Sequence, residues 1–172
     1  MRNKKAFTLI ELVVTIALLV IVLTGGTAIF FKSFRSSGIS DLQTTVNNGL
    51  TSLDNLIERS LRYGAVVRVS SQGVDNFRTD CLLAGDSGVA GDTLAVRDND
   101  GGVAIYSFTH GTVSSNSAVI SSPGIIIKNL QFTWYCRSGV NDKINLLIEA
   151  TSGGVVSASF SKDINLLNSG IN

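Results

Sequence analysis

The side chains in this sequence able to do chemistry are few and far apart: Glu11, the cysteines Cys81 and Cys136, the single histidine His110, and the run Asp98-Asn99-Asp100-Gly101. His110 stands beside Gly111 in a turn-like setting, and no sequence signature joins it to a serine or cysteine nucleophile. A surface turn residue is preferred to a general base. The many serines read as solvent-facing strand and loop positions, so no catalytic residue, enzymatic activity or cofactor is expected. Asp98-Asn99-Asp100-Gly101 looks like the opening of a calcium loop, but the glutamate such a loop needs further on is missing and apolar residues follow. A tight hairpin between Arg97 and Val103 is the preferred reading, because Asp-Gly suits a type I′ turn. Calcium is the alternative, and no metal ligand is assigned.

The two cysteines allow one disulfide in an exported domain, and closing a loop of this length would stabilise it by roughly 4 kcal/mol in the chain-entropy picture. A pair of buried free thiols is the other reading, favoured where oxidants are lacking. Glu11 is anomalous in a different way. From Ala6 to Phe31 there are 26 residues and Glu11 is the only charge among them, whereas about 20 apolar residues suffice to cross a bilayer core. A carboxylate well inside such a span costs a few kcal/mol (roughly) unless something pairs with it. Either Glu11 snorkels to the cytoplasmic interface, or it has a partner.

The residues around it narrow the choice. Lys5-Ala6-Phe7-Thr8-Leu9-Ile10-Glu11-Leu12-Val13 resembles the class III signal of type IV prepilins and pseudopilins: a short basic leader, a small residue, then Phe-Thr-Leu-Ile-Glu. The resemblance implies cleavage by a prepilin peptidase between Ala6 and Phe7, N-methylation of Phe7, and charge pairing of Glu11 during assembly. The family usually has glycine before the cut, where this chain has Ala6. An ordinary secretory signal with Gly26-Thr27-Ala28 as its cleavage site would have a shorter apolar region without a carboxylate. A plain single-pass anchor has the right length, but gives no reason for Phe-Thr-Leu-Ile-Glu at its start.

Arg2, Lys4 and Lys5 before the span, against Lys32 and Arg35 after it, place the N-terminus in the cytoplasm and the following domain outside. Net charge is +1, and loss of residues 1–6 lowers Lys+Arg from 14 to 11 against 13 acids, a formal −2. Neither form is basic enough to make nucleic acid a main partner. The expected organisation is a leader at 1–6, a transmembrane half-helix at 7–34, and one globular domain at 35–172.

Beyond Phe31, Ile39, Leu42, Val46, Leu50, Leu53, Ile57 and Leu61 follow at spacings of three and four. This is a helical stripe, with Asp41, Asn47, Asn48, Asp54, Asn55 and Glu58 expected on the other sides. One helix from about Phe7 to Tyr63 is predicted, weakest at Gly25-Gly26 and Ser36-Ser37-Gly38. Gly25-Gly26 reads equally as a close contact between helices. From Gly64 the composition turns to strand formers, with candidates at 65–70, 93–97, 103–109, 112–121, 125–135, 143–150 and 155–162. Short turns between them favour antiparallel hairpins. Residues 72–92 read as an irregular loop or broken strand, and 168–172 as a frayed tail.

The expected fold class is α+β, a long N-terminal helix laid on an antiparallel β-sheet, which is the architecture of the pilin fold. Apolar and turn patterns from Leu53 onward, including Asn129 to Tyr135 and Ile144 to Glu149, look like J-type minor pseudopilins. The resemblance implies a non-enzymatic minor subunit of a type IV pilus, a type II secretion apparatus or a competence fibre, in a tip or initiation complex. Its partners would be other pilins, the prepilin peptidase and the cytoplasmic membrane. Alternatives are a major pilin and a membrane-anchored binding module that does not polymerise.

Overall fold

In a computed structural model of the chain, residues 8–167 are described. The chain divides into two compact units, 1–41 and 42–172. A single helix, α1 (Leu9–Tyr63), contributes to both and runs unbroken through Gly25-Gly26 and Ser36-Ser37-Gly38.

Within the second unit, α1 buries one stripe. Val46, Leu50, Leu53, Ile57 and Leu61 recur every three or four residues, so they share a face, and each is buried in the main core. The remaining elements are β1 (Ala65–Ser71), β2 (Val74–Asn76), α2 (Arg78–Ala84), β3 (Val89–Gly91), β4 (Thr93–Arg97), β5 (Val103–Thr109), β6 (Thr112–Ser115), β7 (Ala118–Val119), β8 (Ile126–Tyr135), β9 (Lys143–Ser152) and β10 (Val156–Asn165). They form two antiparallel sheets, one in the order β2-β1-β4-β5-β6-β7 and the other β10-β9-β8-β3. The fold class is α+β, as the sequence predicts, but the strands form two sheets rather than the one expected, because alternation marks a strand without naming its neighbour.

The four-stranded sheet supplies the largest part of the core. Along β9 the inward positions are Ile144, Leu146, Ile148 and Ala150, and in register they face Trp134, Phe132, Leu130 and Ile127 of β8. Directly opposed apolar pairs of this kind are the unit of sheet stabilisation. A bulge between Ile127 and Asn129 adds the residue that lets both Ile127 and Leu130 point inward, despite their odd spacing.

The two sheets are stitched together where the segment from Val89 to Arg97 leaves one and joins the other. Ala90 pairs with Thr133 of β8, while Thr93 pairs with Ser70 of β1, and the Asp92 amide donates to the Ser70 carbonyl at 3.1 Å. The backbones come so close that a Cβ on Gly91 would lie 2.2 Å from the Ser70 oxygen. Only glycine fits there.

Four local expectations change. Residues 72–92 are not irregular, but hold β2, α2, a 3-10 turn at Gly85–Ser87 and β3. The strand expected over 112–121 is split into β6 and β7, because Asn116 and Ser117 turn the chain at φ of 48° and 71°. The hairpin at Asp98–Gly102 is present, but its turn is not type I′: of its residues Gly101 alone has positive φ, at 83°. The Gly101 amide donates to the Asp98 carbonyl at 3.0 Å, the pattern of a type I turn followed by a left-handed glycine. Finally, Asp54 and Glu58 do not sit on the polar side of α1. Asp54 is buried at 4 % exposure, and the Glu58 side chain is 14 % exposed.

Candidate functional site

In the first unit, every described residue from Thr8 to Asp41 is exposed. The apolar part of α1 includes Leu12, Val13, Val14, Leu18, Ile21 and Val22, which at about 100° per residue fall on all sides of the helix. An 18-residue window there has a mean hydropathy of 2.6 with none of it buried. A helix that is apolar all round needs an apolar surrounding, either lipid or other helices. Its threonines are compatible with that setting. The Thr15 hydroxyl donates to the Leu12 carbonyl at 2.8 Å, Thr24 to Val20 at 2.8 Å, and Thr27 to Thr24 at 3.0 Å. Each hydroxyl is thus satisfied within the helix, as an apolar medium demands.

Glu11 is the exception in this segment. It lies in the first turn of α1, where a carboxylate is favoured by the partial positive charge of the helix start, and its amide donates to the Thr8 carbonyl at 3.1 Å. Among the described residues its side chain enters none of the ion pairs. Ala6 and Phe7, the residues expected to flank the cleaved bond, lie outside the described residues.

The other sequence candidates fall in the second unit and do not converge on one place. His110 has φ of 50° and Gly111 φ of 79°, the pair of positive values a type I′ hairpin between β5 and β6 requires. Asp98 is engaged within its own turn, its carboxylate accepting from the Asn99 amide at 2.7 Å. Cys81 in α2 and Cys136, just past β8, are joined by a disulfide with a Cα separation of 5.6 Å.

A charged cluster that the sequence does not announce ties α1 to β10. Lys162 donates to Asp54 at 3.0 Å and to Glu58 at 2.8 Å, and Arg62 donates to Glu58 from the next turn of the helix at 2.7 Å. Hydrogen bonds from Lys162 and then Arg62 hold the Glu58 carboxyl below its ordinary value. Glu58 and then Asp54 push the Lys162 ammonium up. Asp54 Oδ1 has no hydrogen-bond partner among the described residues. The partners lie 104 and 108 positions apart in sequence, so no local pattern joins them. The available signal was that Asp54 falls four residues after Leu50 in the buried stripe, and Lys162 alternates with Phe160 and Ile164 on one face of a strand.

Comparison with known families bears on the first unit. The prokaryotic N-terminal methylation motif, the signal carried by type IV prepilins, matches residues 1–27. The match takes in the basic start, Ala6, Phe7 and Glu11, and ends inside the apolar part of α1. No curated protein and no solved structure matches the chain.

Proposed function

We propose that this chain is the precursor of a type IV pilin-like subunit, a minor pilin or pseudopilin that works in the tip or initiation complex of a pilus, secretion or competence fibre. The observation that carries this reading is the conjunction at the N-terminus: a methylation motif over residues 1–27, leading into a helix segment that is apolar on all sides and carries one carboxylate. The precursor sits in the cytoplasmic membrane with its N-terminus inside, through Arg2, Lys4 and Lys5. A prepilin peptidase cuts between Ala6 and Phe7, and the new amino group on Phe7 is methylated.

Processing leaves a cation four residues before Glu11 on the same chain. In an apolar layer, attraction between these charges is much stronger than in water. Glu11 then pairs with the Phe7 ammonium of a neighbouring subunit, so that entry into the fibre neutralises the buried carboxylate and sets the axial offset between subunits. Other pilins are the main partners, through this helix, and the second unit has a structural role.

Intact-mass measurement of the protein from cells with an active prepilin peptidase tests the reading. The expected mass is that of residues 7–172 plus one methyl group. An unchanged precursor mass would overturn it and favour a membrane-anchored binding module.

A further inference from the structure

The segment from Phe77 to Gly88 is attached to the domain in an unusual way. α2 has seven residues, well short of the roughly 12 at which an isolated helix begins to hold in water. Its only buried residue is Cys81, at 0 % exposure, while Leu83 is 87 % exposed and Leu82 and Phe77 are also open to solvent. It therefore lacks the apolar stripe that normally anchors a helix. Besides the close approach of Gly88, at the end of the segment, to Trp134 and Tyr135 of β8, its side-chain cross-links run to one place, the connection over residues 136–142 between β8 and β9. Cys81 is bonded to Cys136, Arg78 donates to Asp142 at 3.2 Å, and Arg137 is paired with Asp86. The Arg137–Asp86 pair is open to water on both sides, at 69 % and 80 % exposure, and adds little.

The receiving connection is held independently. The Asp142 carbonyl accepts from the Leu166 amide at 3.0 Å, and Tyr135 and Lys143 on either side of it are paired across β8 and β9. The sheet core beneath contains Trp134, Phe132, Ile144 and Leu146, none of which depends on α2 for its cross-strand partner.

We propose that the Cys81–Cys136 disulfide is a redox-controlled latch for residues 77–88: oxidised, it orders α2 and the 3-10 turn, and reduced, it releases them while both sheets stay folded. Closing the latch converts two thiols to one disulfide, with two electrons and two protons passing to a disulfide-class oxidant, which becomes a dithiol. Release reverses this with a dithiol reductant. The surface formed by Phe77, Leu82, Leu83 and Asp86 is then a property of the oxidised chain alone.

Hydrogen exchange read by mass spectrometry on the full chain in detergent, oxidised and after treatment with a dithiol reductant, tests this. Amides in 77–88, including that of Cys81, which donates to Phe77, should exchange at least about tenfold faster once reduced, with β8 and β9 unchanged. Cys81→Ser with Cys136→Ser should behave as the reduced chain does, whereas Arg78→Ala in the oxidised chain should leave α2 protected. Unchanged protection of 77–88 on reduction would overturn the proposal. So would loss of protection throughout β8 and β9, since the disulfide would then be a staple for the whole domain.

Discussion

Residues 9–34 and 46–61 belong to one helix with one backbone geometry, yet they solve opposite problems. The first stretch carries apolar side chains on every side and buries none of them. The second carries Val46, Leu50, Leu53, Ile57 and Leu61 on one stripe and buries all five in the core, with Leu56 alone of its large apolar residues left exposed. Its polar faces meet water, except where Asp54 and Glu58 meet Lys162. Charge is handled differently as well. In the second stretch two carboxylates are matched by a lysine and an arginine of the same domain, whereas in the first a lone carboxylate has no described counterpart. The second stretch completes its packing within its own chain, whereas the first leaves its apolar surface uncovered by any described residue.

The contrast in packing predicts the largest difference. Ile57→Ala opens a cavity in the core and should cost about 3 kcal/mol, read as a large drop in the melting temperature of the domain in detergent. Ile16→Ala, the same kind of truncation in the exposed stretch, should leave that melting temperature unchanged. Equal drops would erase the distinction between the two stretches.

Removing the counter-charge in the second stretch comes next. Lys162→Met leaves Asp54 buried without its cation and should cost about 2 kcal/mol, below the figure for a fully buried pair because Lys162 is one-third exposed. The network also sets a pH dependence. Glu58 is held below its ordinary value of 4.5, so its contribution is complete above that pH and is lost as pH falls through the lowered folded value. Lys162 is raised above 10.5, so its contribution is complete below that pH and is lost as pH rises through the raised value. Urea melts at a series of pH values should show the acid limb weakened in Lys162→Met. An unchanged acid limb would mean that the lysine does not set the Glu58 carboxyl.

Sequence periodicity reveals most of this fold because most of its elements bury a stripe or an alternate face. The five buried core side chains of the α1 stripe and the inward residues of β9 recur at the spacing their element requires. α2 escapes the same reading because Leu82 and Leu83 point outward and its anchor is a covalent bond to a cysteine 55 positions away. The division into two sheets is likewise invisible, since alternation identifies a strand and not its neighbour. At the candidate site, Glu11 is legible because it stands as a single charge in an apolar run. The Lys162 cluster is not, because its members meet only when β10 is laid against α1. The burial of Asp54 is hidden for a related reason: a carboxylate in a helix is by default a solvated residue, and a lysine from a distant strand overrides that default.

Glu11→Val tests most directly the proposal that Glu11 is paired by another subunit, with the amount of processed protein recovered in purified fibres or tip complexes as the measurement. The variant should insert into the membrane more readily than the wild type and be cut between Ala6 and Phe7 as usual, because the peptidase acts on the cytoplasmic side of the bond. It should leave the melting of the second unit untouched, and yet be largely absent from the assembled fraction. Recovery there at the wild-type level would contradict the account and return Glu11 to the status of a carboxylate that merely reaches the membrane surface.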